Sequence, residues 1–560
     1  MSHSSINLDI ANRIPLQPIA DVAREKLGLD PSQIELFGRY KAKVPLASLP
    51  PLPSKSESKL ILMTAMTPTK AGEGKTTTLI GLVDALNKIG QKAVAALREP
   101  SLGPCFGMKG GGCGGGYAQV VPMTDINLHF TGDFHAITSA HNLLAALVDN
   151  HLYWGHEPHL DPRRITWGRV LDVNDRSLRS VVTGLGGKAN GFTRESRFDI
   201  TAASEVMAIL CLATDLQDLQ QRLGNIKVGR RVNREMVFAK DIQAEGAMTA
   251  LLKEALNPNL VQTLEHNPAL VHGGPFGNIA HGCSSVVATK AALTLADYVV
   301  TEGGFGADLG AEKFFDIKCR QAGLTPACAV VVGTVKALKL HGGAKEKELE
   351  QEDLGALRQG LPNLLRHLEI VKKFGVPAVV AINQFTSDTK RELDLVEKAC
   401  ADHGVKMALA NHWAKGGAGA MRLAETVREV IEHEPVDFRV LYPDTIPLAE
   451  KLRIIAREMY RAEDVEIPRA VHARFAELEH NGYGHFPICM AKTQYSFSTD
   501  PAKKGAPSGF TLPVREVRLA MGAGFVVVIA GDMMTMPGLP RVPAAESIGV
   551  DAKGNIVGLY

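Results

Sequence analysis

A short segment near the start of the chain carries the residue types that bind phosphate groups. It lies between a predicted strand at 59–64 and a predicted helix at 75–89, and it consists of Thr69, Lys70, Ala71, Gly72, Glu73, Gly74, Lys75, Thr76 and Thr77. Glycines permit a tight loop, the helix N-terminus supplies positive potential, a lysine reaches the outer phosphates and a hydroxyl holds Mg²⁺. We therefore predict that residues 69–77 bind a nucleoside triphosphate, with Lys75 on the phosphates and Thr76 on the metal. The alternative is a Gly-Lys-Thr helix start that arose by chance.

The loop departs from its commonest form at one position. The pattern G-x-x-x-x-G-K-[ST] would have glycine where this chain has Thr69. The stretch from Lys70 to Thr76 instead resembles the variant K-x-G-x-G-K-[ST]. The guanine-reading motif N-K-x-D does not occur at residues 383–386, which are Asn-Gln-Phe-Thr. We therefore expect ATP rather than GTP.

A second polar loop follows the next predicted strand, at 92–97. Arg98 can present a planar donor fork to a carboxylate or an acyl phosphate. Glu99 can orient that arginine or help to bind a cation. A glycine run at 110–116 would let the backbone approach a ligand closely. The alternative is a flexible linker beside a surface Arg–Glu pair.

Two further stretches contain candidate site residues. Asp133 lies in a polar segment at 125–135 and is a candidate active-site acid, or one that orders a Mg²⁺-bound water. Histidines at 129, 135 and 141 are spaced by six, which does not place them on one helical face, so no zinc site is expected. Glu302, Phe305 and Asp308 follow a predicted strand at 297–301 and can face a cleft.

Two aromatic residues follow a pair of predicted strands near residue 400. Phe385 comes after the strand at 376–382, and Trp413 comes after the strand at 405–410. If these strands are neighbours, both rings lie at the same end of the sheet and can contact a flat heteroaromatic ligand. An aromatic pair that only closes the end of the sheet remains the alternative.

The elements around these residues predict the fold class. Further strands are predicted at 328–332 and 525–530, and helices at 286–296, 361–374, 390–403 and 420–433. Short apolar strands that alternate with helices are typical of an α/β protein with a doubly wound, mainly parallel sheet. Ligands of such sheets bind beyond the carboxyl ends of the strands, which is where the candidate residues lie.

Composition limits the partners and the compartment. The chain has 560 residues, and its 62 Lys and Arg nearly balance its 60 Asp and Glu. Such a balance does not favour nucleic acid or an acidic membrane surface as a partner. The eight cysteines form no C-x-x-C pair, and no apolar run is long enough to cross a bilayer. We expect a cytoplasmic protein.

Taken together, these motifs resemble those of the formate–tetrahydrofolate ligases, in the monofunctional bacterial form. The matching stretches are 37–43, 68–78, 96–107, 114–135, 271–282, 301–318, 374–388 and 487–496, so the resemblance covers essentially the whole chain. Departures are Lys70, where the family commonly has proline, and Gly112-Cys113, where it often has alanines. Neither departure removes a proposed catalytic group, but Lys70 can alter nucleotide affinity.

The resemblance implies ligation of formate to tetrahydrofolate with ATP, through a formyl phosphate. It implies Mg²⁺, a monovalent cation (K⁺ or NH₄⁺), a homotetramer and three domains, which we place at 1–310 (a P-loop nucleotide domain), 311–440 and 441–560. The catalytic candidates are then Lys75, Arg98 and Asp133, and the candidate for binding the monovalent cation is Glu99. The candidates for ligand contacts are Phe305, Phe385 and Trp413, of which the last two would flank the pterin. Two rivals remain: another ATP-dependent carboxylate ligase, and a nucleotide switch in which the two rings are core packing.

Overall fold

The computed structural model describes residues 3–50, 57–69, 72–108 and 112–559. Two predicted phosphate-binding residues, Lys70 and Ala71, lie outside the described residues, as does the start of the glycine run at 109–111. Within the described ranges, no helix is both long enough and apolar enough to span a membrane.

A mainly parallel sheet lies at the centre of the molecule. Its principal strands are, in chain order, β1 (Lys59–Ala65), β2 (Ala93–Leu97), β3 (Asn259–Thr263), β4 (Pro268–Val271), β5 (Tyr298–Glu302), β6 (Cys328–Gly333), β7 (Ala378–Asn383) and β8 (Lys406–Ala410). The spatial order is β3-β4-β2-β5-β1-β6-β7-β8, with only β3 antiparallel to its neighbour β4. The short strands Glu35–Leu36, Ala42–Lys43, Gly114–Gly115 and Ala118–Val121 extend the sheet beyond β3. The predicted mainly parallel α/β sheet is confirmed.

Both faces of this sheet are buried, because helices cover each of them. In β1, Leu60 and Leu62 belong to one apolar cluster, while Ile61 and Met63 belong to another on the opposite face. The first cluster includes helices Val286–Leu295 and Leu354–Lys373, and the second includes helices Lys75–Lys88 and Met421–His433. Alternating side chains of a strand point to opposite faces, so every residue of β1 after Lys59 is buried.

A smaller four-stranded sheet lies near the C-terminus. Its order is Asp464–Glu466, Thr511–Ala520, Phe525–Ala530 and Ile488–Ala491. Two-stranded pairs are Arg169–Leu171 with Phe198–Ile200, Val181–Thr183 with Arg194–Ser196, Lys227–Arg230 with Met236–Phe238, and Gly549–Val550 with Ile556–Val557. Other described α-helices of five or more residues are His3–Arg13, Leu102–Phe106, Met123–Asn127, Asp133–Trp154, Glu205–Leu212, Leu216–Gly224, Glu245–Leu252, Val335–His341, Lys390–Asp402, Leu448–Tyr460 and Arg469–His480.

One predicted helix begins earlier than its sequence pattern indicated. The helix predicted at 361–374 spans Leu354–Lys373 and contains Pro362 in its interior. Proline is common in the first turn of a helix, which made it a plausible start. The actual start is fixed by Asp353, whose carboxylate accepts a hydrogen bond from the Ala356 amide at 2.8 Å.

The main sheet draws strands from both sides of the predicted domain boundary at 310. Strand β1, in the first predicted domain, pairs with β6, in the second. The division of the chain at 310 and 440 stays a prediction.

Candidate active site

A cavity of about 800 Å³ opens at the carboxyl ends of β1, β2 and β5. This volume falls within the range of small-molecule sites. The cavity brings together most of the predicted nucleotide-site residues, whose described members in its lining are Thr69, Gly72, Glu73, Gly74, Lys75, Thr76, Thr77, Arg98 and Phe305. It therefore lies where a doubly wound sheet binds its ligands.

The phosphate loop takes its shape from two glycines with left-handed backbone. Gly72 has φ 76° and Gly74 has φ 74°, conformations that favour glycine. A Cβ atom at Gly74 would lie 2.5 Å from Asn383 Nδ2, at the end of β7. The helix begins directly afterwards, at Lys75, so its free amide groups face the cavity end of the loop.

Glu302, at the end of β5, joins the cationic residues of the site. Its Oε2 accepts a hydrogen bond from Thr76 Oγ1 at 2.8 Å, and its Oε1 accepts one from Arg98 Nε at 3.2 Å. Burial alone would raise the pKa of Glu302, but the charges of Arg98 and Lys75 outweigh burial and lower it. Glu302 is therefore an anion that holds the Thr76 hydroxyl and the arginine in one network.

Lys75 lies in the same network. Its ammonium donates a hydrogen bond to the carbonyl of Gly303, the residue after β5. Burial lowers the pKa of Lys75 to about 8, against the opposing effect of the Glu302 charge. Lys75 thus places a partly buried cation at the start of the helix that follows the loop, as expected of a group that meets phosphate oxygens.

Arg98 is oriented by Glu302 and not by its sequence neighbour Glu99. Besides Glu302, its Nη1 donates to the carbonyl of Pro275 at 3.3 Å. Among the described residues its Nη2 has no hydrogen-bond partner, and the side chain is 23% exposed. The fork can therefore accept a further anion from the cavity.

Phe305 contributes an aromatic wall in a strained conformation. Its φ is 66°, a left-handed value that is uncommon for a residue with an aromatic side chain. Such strain persists only where the surrounding structure enforces it, and it is concentrated at functional sites. Phe305 is partly buried and lines the cavity.

Asp133 and Glu99 lie in a buried cluster and do not line the cavity. Asp133 accepts hydrogen bonds from Lys43 Nζ at 2.9 Å and from Asn259 Nδ2 at 2.7 Å. Burial, with the charge of Asp133, raises the pKa of Glu99 well above its usual range. Glu99 Oε2 is buried with no hydrogen-bond partner within the described ranges. The structure thus separates these two acids from the arginine fork.

Phe385 and Trp413 also lie outside the lining of the cavity, close to its edge. Strands β7 and β8 are adjacent and parallel, with Asn383 opposite Ala410, so the two aromatic residues follow neighbouring strands at the same end of the sheet. The two side chains are 39% and 40% exposed. Asn383, two residues before Phe385, donates a hydrogen bond to the Glu73 carbonyl of the phosphate loop at 3.3 Å.

The glycine run connects the cavity with Trp413. Gly114 lines the cavity, and a Cβ atom at Gly116 would lie 2.1 Å from the carbonyl oxygen of Trp413. The amide of Tyr117 donates to that same carbonyl at 2.8 Å. In its described part, the run is an ordered hairpin that requires glycine for close packing, and not a flexible linker.

Other lining residues were not anticipated as site residues. Gln494, Tyr495, Asp532 and Met533 come from the C-terminal part of the chain, and Gln494 accepts a hydrogen bond from Asn278 Nδ2 at 3.2 Å. A signal existed for Asp532, which follows the predicted strand at 525–530 as a polar residue at a carboxyl end. No group of three or more His, Cys, Asp or Glu side chains is arranged to hold a metal ion in the described residues.

Comparison with known proteins identifies the family. The family model described as formate–tetrahydrofolate ligase matches residues 5–560. A formate–tetrahydrofolate ligase of Granulibacter bethesdensis is 60% identical over 552 residues, covering 99% of this chain and 96% of the relative. Ligases of the same name from Sinorhizobium medicae and Rhizobium meliloti are 59% and 58% identical, covering 99% and 100% of this chain and 98% and 100% of the relatives. A match of this extent, on a chain with the site described above, shows that the protein belongs to the formate–tetrahydrofolate ligase family.

Proposed function

We propose that this chain joins formate to tetrahydrofolate at the expense of ATP, releasing 10-formyltetrahydrofolate, ADP and phosphate through a formyl phosphate intermediate. Membership of the family supports the overall reaction. The observation that carries the intermediate is the convergence of Lys75, Thr76 and Arg98 on one cavity. A phosphate loop and a guanidinium whose Nη2 has no hydrogen-bond partner among the described residues suit a γ-phosphate and a carboxylate together.

The nucleotide would lie along the phosphate loop. The left-handed glycines and the start of helix Lys75–Lys88 fit a triphosphate, since the loop amides and the Lys75 ammonium converge there. Thr76 and Glu302 would hold Mg²⁺, because a loop hydroxyl bonded to an acid at the end of a neighbouring strand is the usual arrangement in P-loop enzymes. When bound, the ion neutralises charge on the phosphates.

In the first step, a formate oxygen attacks the γ-phosphorus. The bond from that phosphorus to the β,γ-bridging oxygen breaks, giving formyl phosphate and ADP. Lys75 and Arg98 stabilise the charge on the transferring group, and Arg98 then holds the acyl phosphate. Glu302 keeps the guanidinium plane fixed, so that little reorganisation is needed at the moment of transfer.

In the second step, the N10 amine of tetrahydrofolate attacks the formyl carbon. The carbon–oxygen bond to phosphate breaks, and the amine proton leaves with the products. Phe385 and Trp413 would flank the pterin at the edge of the cavity, since both residues are exposed. Asn383, near Phe385, bonds to the phosphate loop, and Trp413 packs on the glycine run whose Gly114 lines the cavity. Phe305 would close the cavity wall against water, which hydrolyses mixed anhydrides.

The buried acids suggest two further assignments. The unpaired Oε2 of Glu99 fits a monovalent cation such as K⁺ or NH₄⁺, which would offset its burial. Asp133 would act on the site by holding that cluster in place, through Lys43 and Asn259. A homotetramer and a cytoplasmic location are proposed with the same function, and sedimentation analysis would measure the oligomeric state.

Omission of single substrates tests the proposal. Formation of 10-formyltetrahydrofolate and release of ADP should each require formate, tetrahydrofolate and ATP together. ADP release that accepts another carboxylate or amine equally well would favour a different ligase. Slow ADP release indifferent to formate would favour a nucleotide switch and would refute the proposal.

A further inference from the structure

A second cavity, of about 440 Å³, lies between residues 165–230 and the small C-terminal sheet. It is separate from the nucleotide cavity, although Ile279 lines both. The carbonyls of Gly277 and Ala280, on either side of Ile279, accept hydrogen bonds from the buried Lys313 ammonium at 2.9 and 3.0 Å. The hydrogen bonds from Lys313 therefore fix the backbone around Ile279, which forms the partition between the two cavities.

Three cations line this second cavity, and two of them share a single carboxylate. Lys227 is 9% exposed, and among the described residues its ammonium has neither a hydrogen-bond acceptor nor an ion pair. Arg230 and Arg474 both pair with Glu477, Arg474 at 2.5 Å. Burial, with the charges of Arg474 and Arg230, lowers the pKa of Lys227 to about 8, so it stays protonated at neutral pH. Positive charge is in excess here.

The other charges around the cavity do not neutralise Lys227. Arg518 and Glu516 form their own pair, with Nε to Oε1 at 2.7 Å. Asp199 lies 3.5 Å from Arg197. Glu205 accepts a hydrogen bond from the Gly522 amide at 2.8 Å, and burial raises its pKa to about 7, so it is only a partial charge near neutrality.

Aromatic surface lines the same cavity. His141 and Trp167 are stacked with ring centroids 4.1 Å apart, and Phe525 also lines the cavity. Burial lowers the pKa of His141 to about 3, so this ring is neutral at pH 7. The cavity thus combines an uncompensated cationic cluster with a neutral, flat aromatic surface.

We infer that this second cavity is a binding site for a small aromatic dianion. Its charges would meet Lys227, Arg230 and Arg474, and its ring would pack on Trp167. A buried ammonium without a partner is costly, and an anion from solution would offset that cost. The inference does not depend on the proposed function, because the site shares only the Ile279 partition with the nucleotide cavity.

Trp167 provides a direct reporter, since the chain has only three tryptophans. The full-length W154F/W413F variant leaves Trp167 as the sole tryptophan, and saturating MgADP fills the nucleotide cavity. Titration with phenyl phosphate should then give a saturable change in fluorescence. Inorganic phosphate should bind at least tenfold more weakly, because it lacks the ring. Absence of saturable binding, or equal binding of inorganic phosphate, would overturn the inference.

Charge-removal variants in the same background locate the site. Lys227→Met and Arg474→Met should each weaken phenyl phosphate binding at least tenfold. Lys253→Met removes the same charge from an exposed position, 67% accessible, and should leave binding unchanged. Thermal melting checks the fold of each variant, and Arg474→Met decides the question if Lys227→Met does not fold. Affinities within twofold of the parent in the folded variants would refute the assignment.

Discussion

Replacement of Glu302 by glutamine tests the network that joins the phosphate loop to the arginine fork. The carboxylate receives two hydrogen bonds, from Thr76 Oγ1 at 2.8 Å and from Arg98 Nε at 3.2 Å. Glutamine keeps the shape and one acceptor oxygen but loses the charge. Its oxygen can replace only one of the two acceptor atoms, and its NH2 group presents a donor to the other residue, which the Thr76 hydroxyl can accept but Arg98 cannot; neither contact then has a charged acceptor.

The size of the effect follows from this count of contacts. A hydrogen bond to a charged group contributes about 1.5–3 kcal/mol. Loss of one such contact in the transition state, at about 1.4 kcal/mol per factor of ten, lowers kcat/KM roughly 10- to 150-fold. Under the proposed function Glu302 also helps to hold Mg²⁺, and loss of that contact would add to this figure.

The assay follows 10-formyltetrahydrofolate formation, with MgADP affinity measured separately by calorimetry. Glu265→Gln is the matched control, because Glu265 is 24% exposed, pairs with Lys88 at 3.0 Å and does not line the cavity. It makes the same change in net charge and should leave kcat/KM within about twofold of the parent. A Glu302→Gln enzyme as active as this control would refute the role given to Glu302.

Three further predictions concern single groups of the site. Arg98→Ala should lower turnover by about 10²-fold or more in a chain that still folds, with some loss of thermal stability because the buried Glu302 loses its ion pair. Near-normal turnover would exclude the role of Arg98 on the acyl phosphate. Burial lowers the pKa of Lys75 to about 8, so MgADP affinity should fall by up to about tenfold per pH unit above pH 8 as this cation is lost. Lys75→Arg should remove that dependence. Calorimetric titration of both enzymes with MgADP from about pH 7 to 9.5 tests this prediction. Phe385→Ala and Trp413→Ala should each raise the KM for tetrahydrofolate about 2- to 12-fold, the equivalent of one aromatic contact. Replacement of the exposed Trp154 by alanine is the control and should leave this KM unchanged. Unchanged KM values in the first two variants would show that the rings are packing groups.

Much of the fold follows from local patterns in the chain. Continuous apolar runs such as those of β1 and β6 are typical of strands buried on both faces, and their order along the chain with intervening helices predicts the parallel sheet. The phosphate loop was predictable for the same reason, since strand, glycine loop and helix are contiguous. By contrast, the start of helix Leu354–Lys373 depends on the Asp353 cap, which the pattern around Pro362 concealed.

The partners of each site residue were harder to predict. Glu99 is adjacent to Arg98 in sequence, yet successive residues after a strand point in different directions, and Arg98 pairs with Glu302 instead. The ion pair of Asp133 with Lys43 joins segments ninety positions apart. Such contacts depend on how elements that are distant in sequence pair and pack, which local spacing does not encode.

The C-terminal residues in the nucleotide cavity have a consequence for biosynthesis. The proposed phosphate loop emerges early from the ribosome, but Tyr495, Asp532 and Met533, which line the same cavity, emerge much later. A partly synthesised chain therefore lacks one wall of this cavity. Under the proposed function, we expect a chain that stops before these residues to leave an acyl phosphate open to water and to lose turnover.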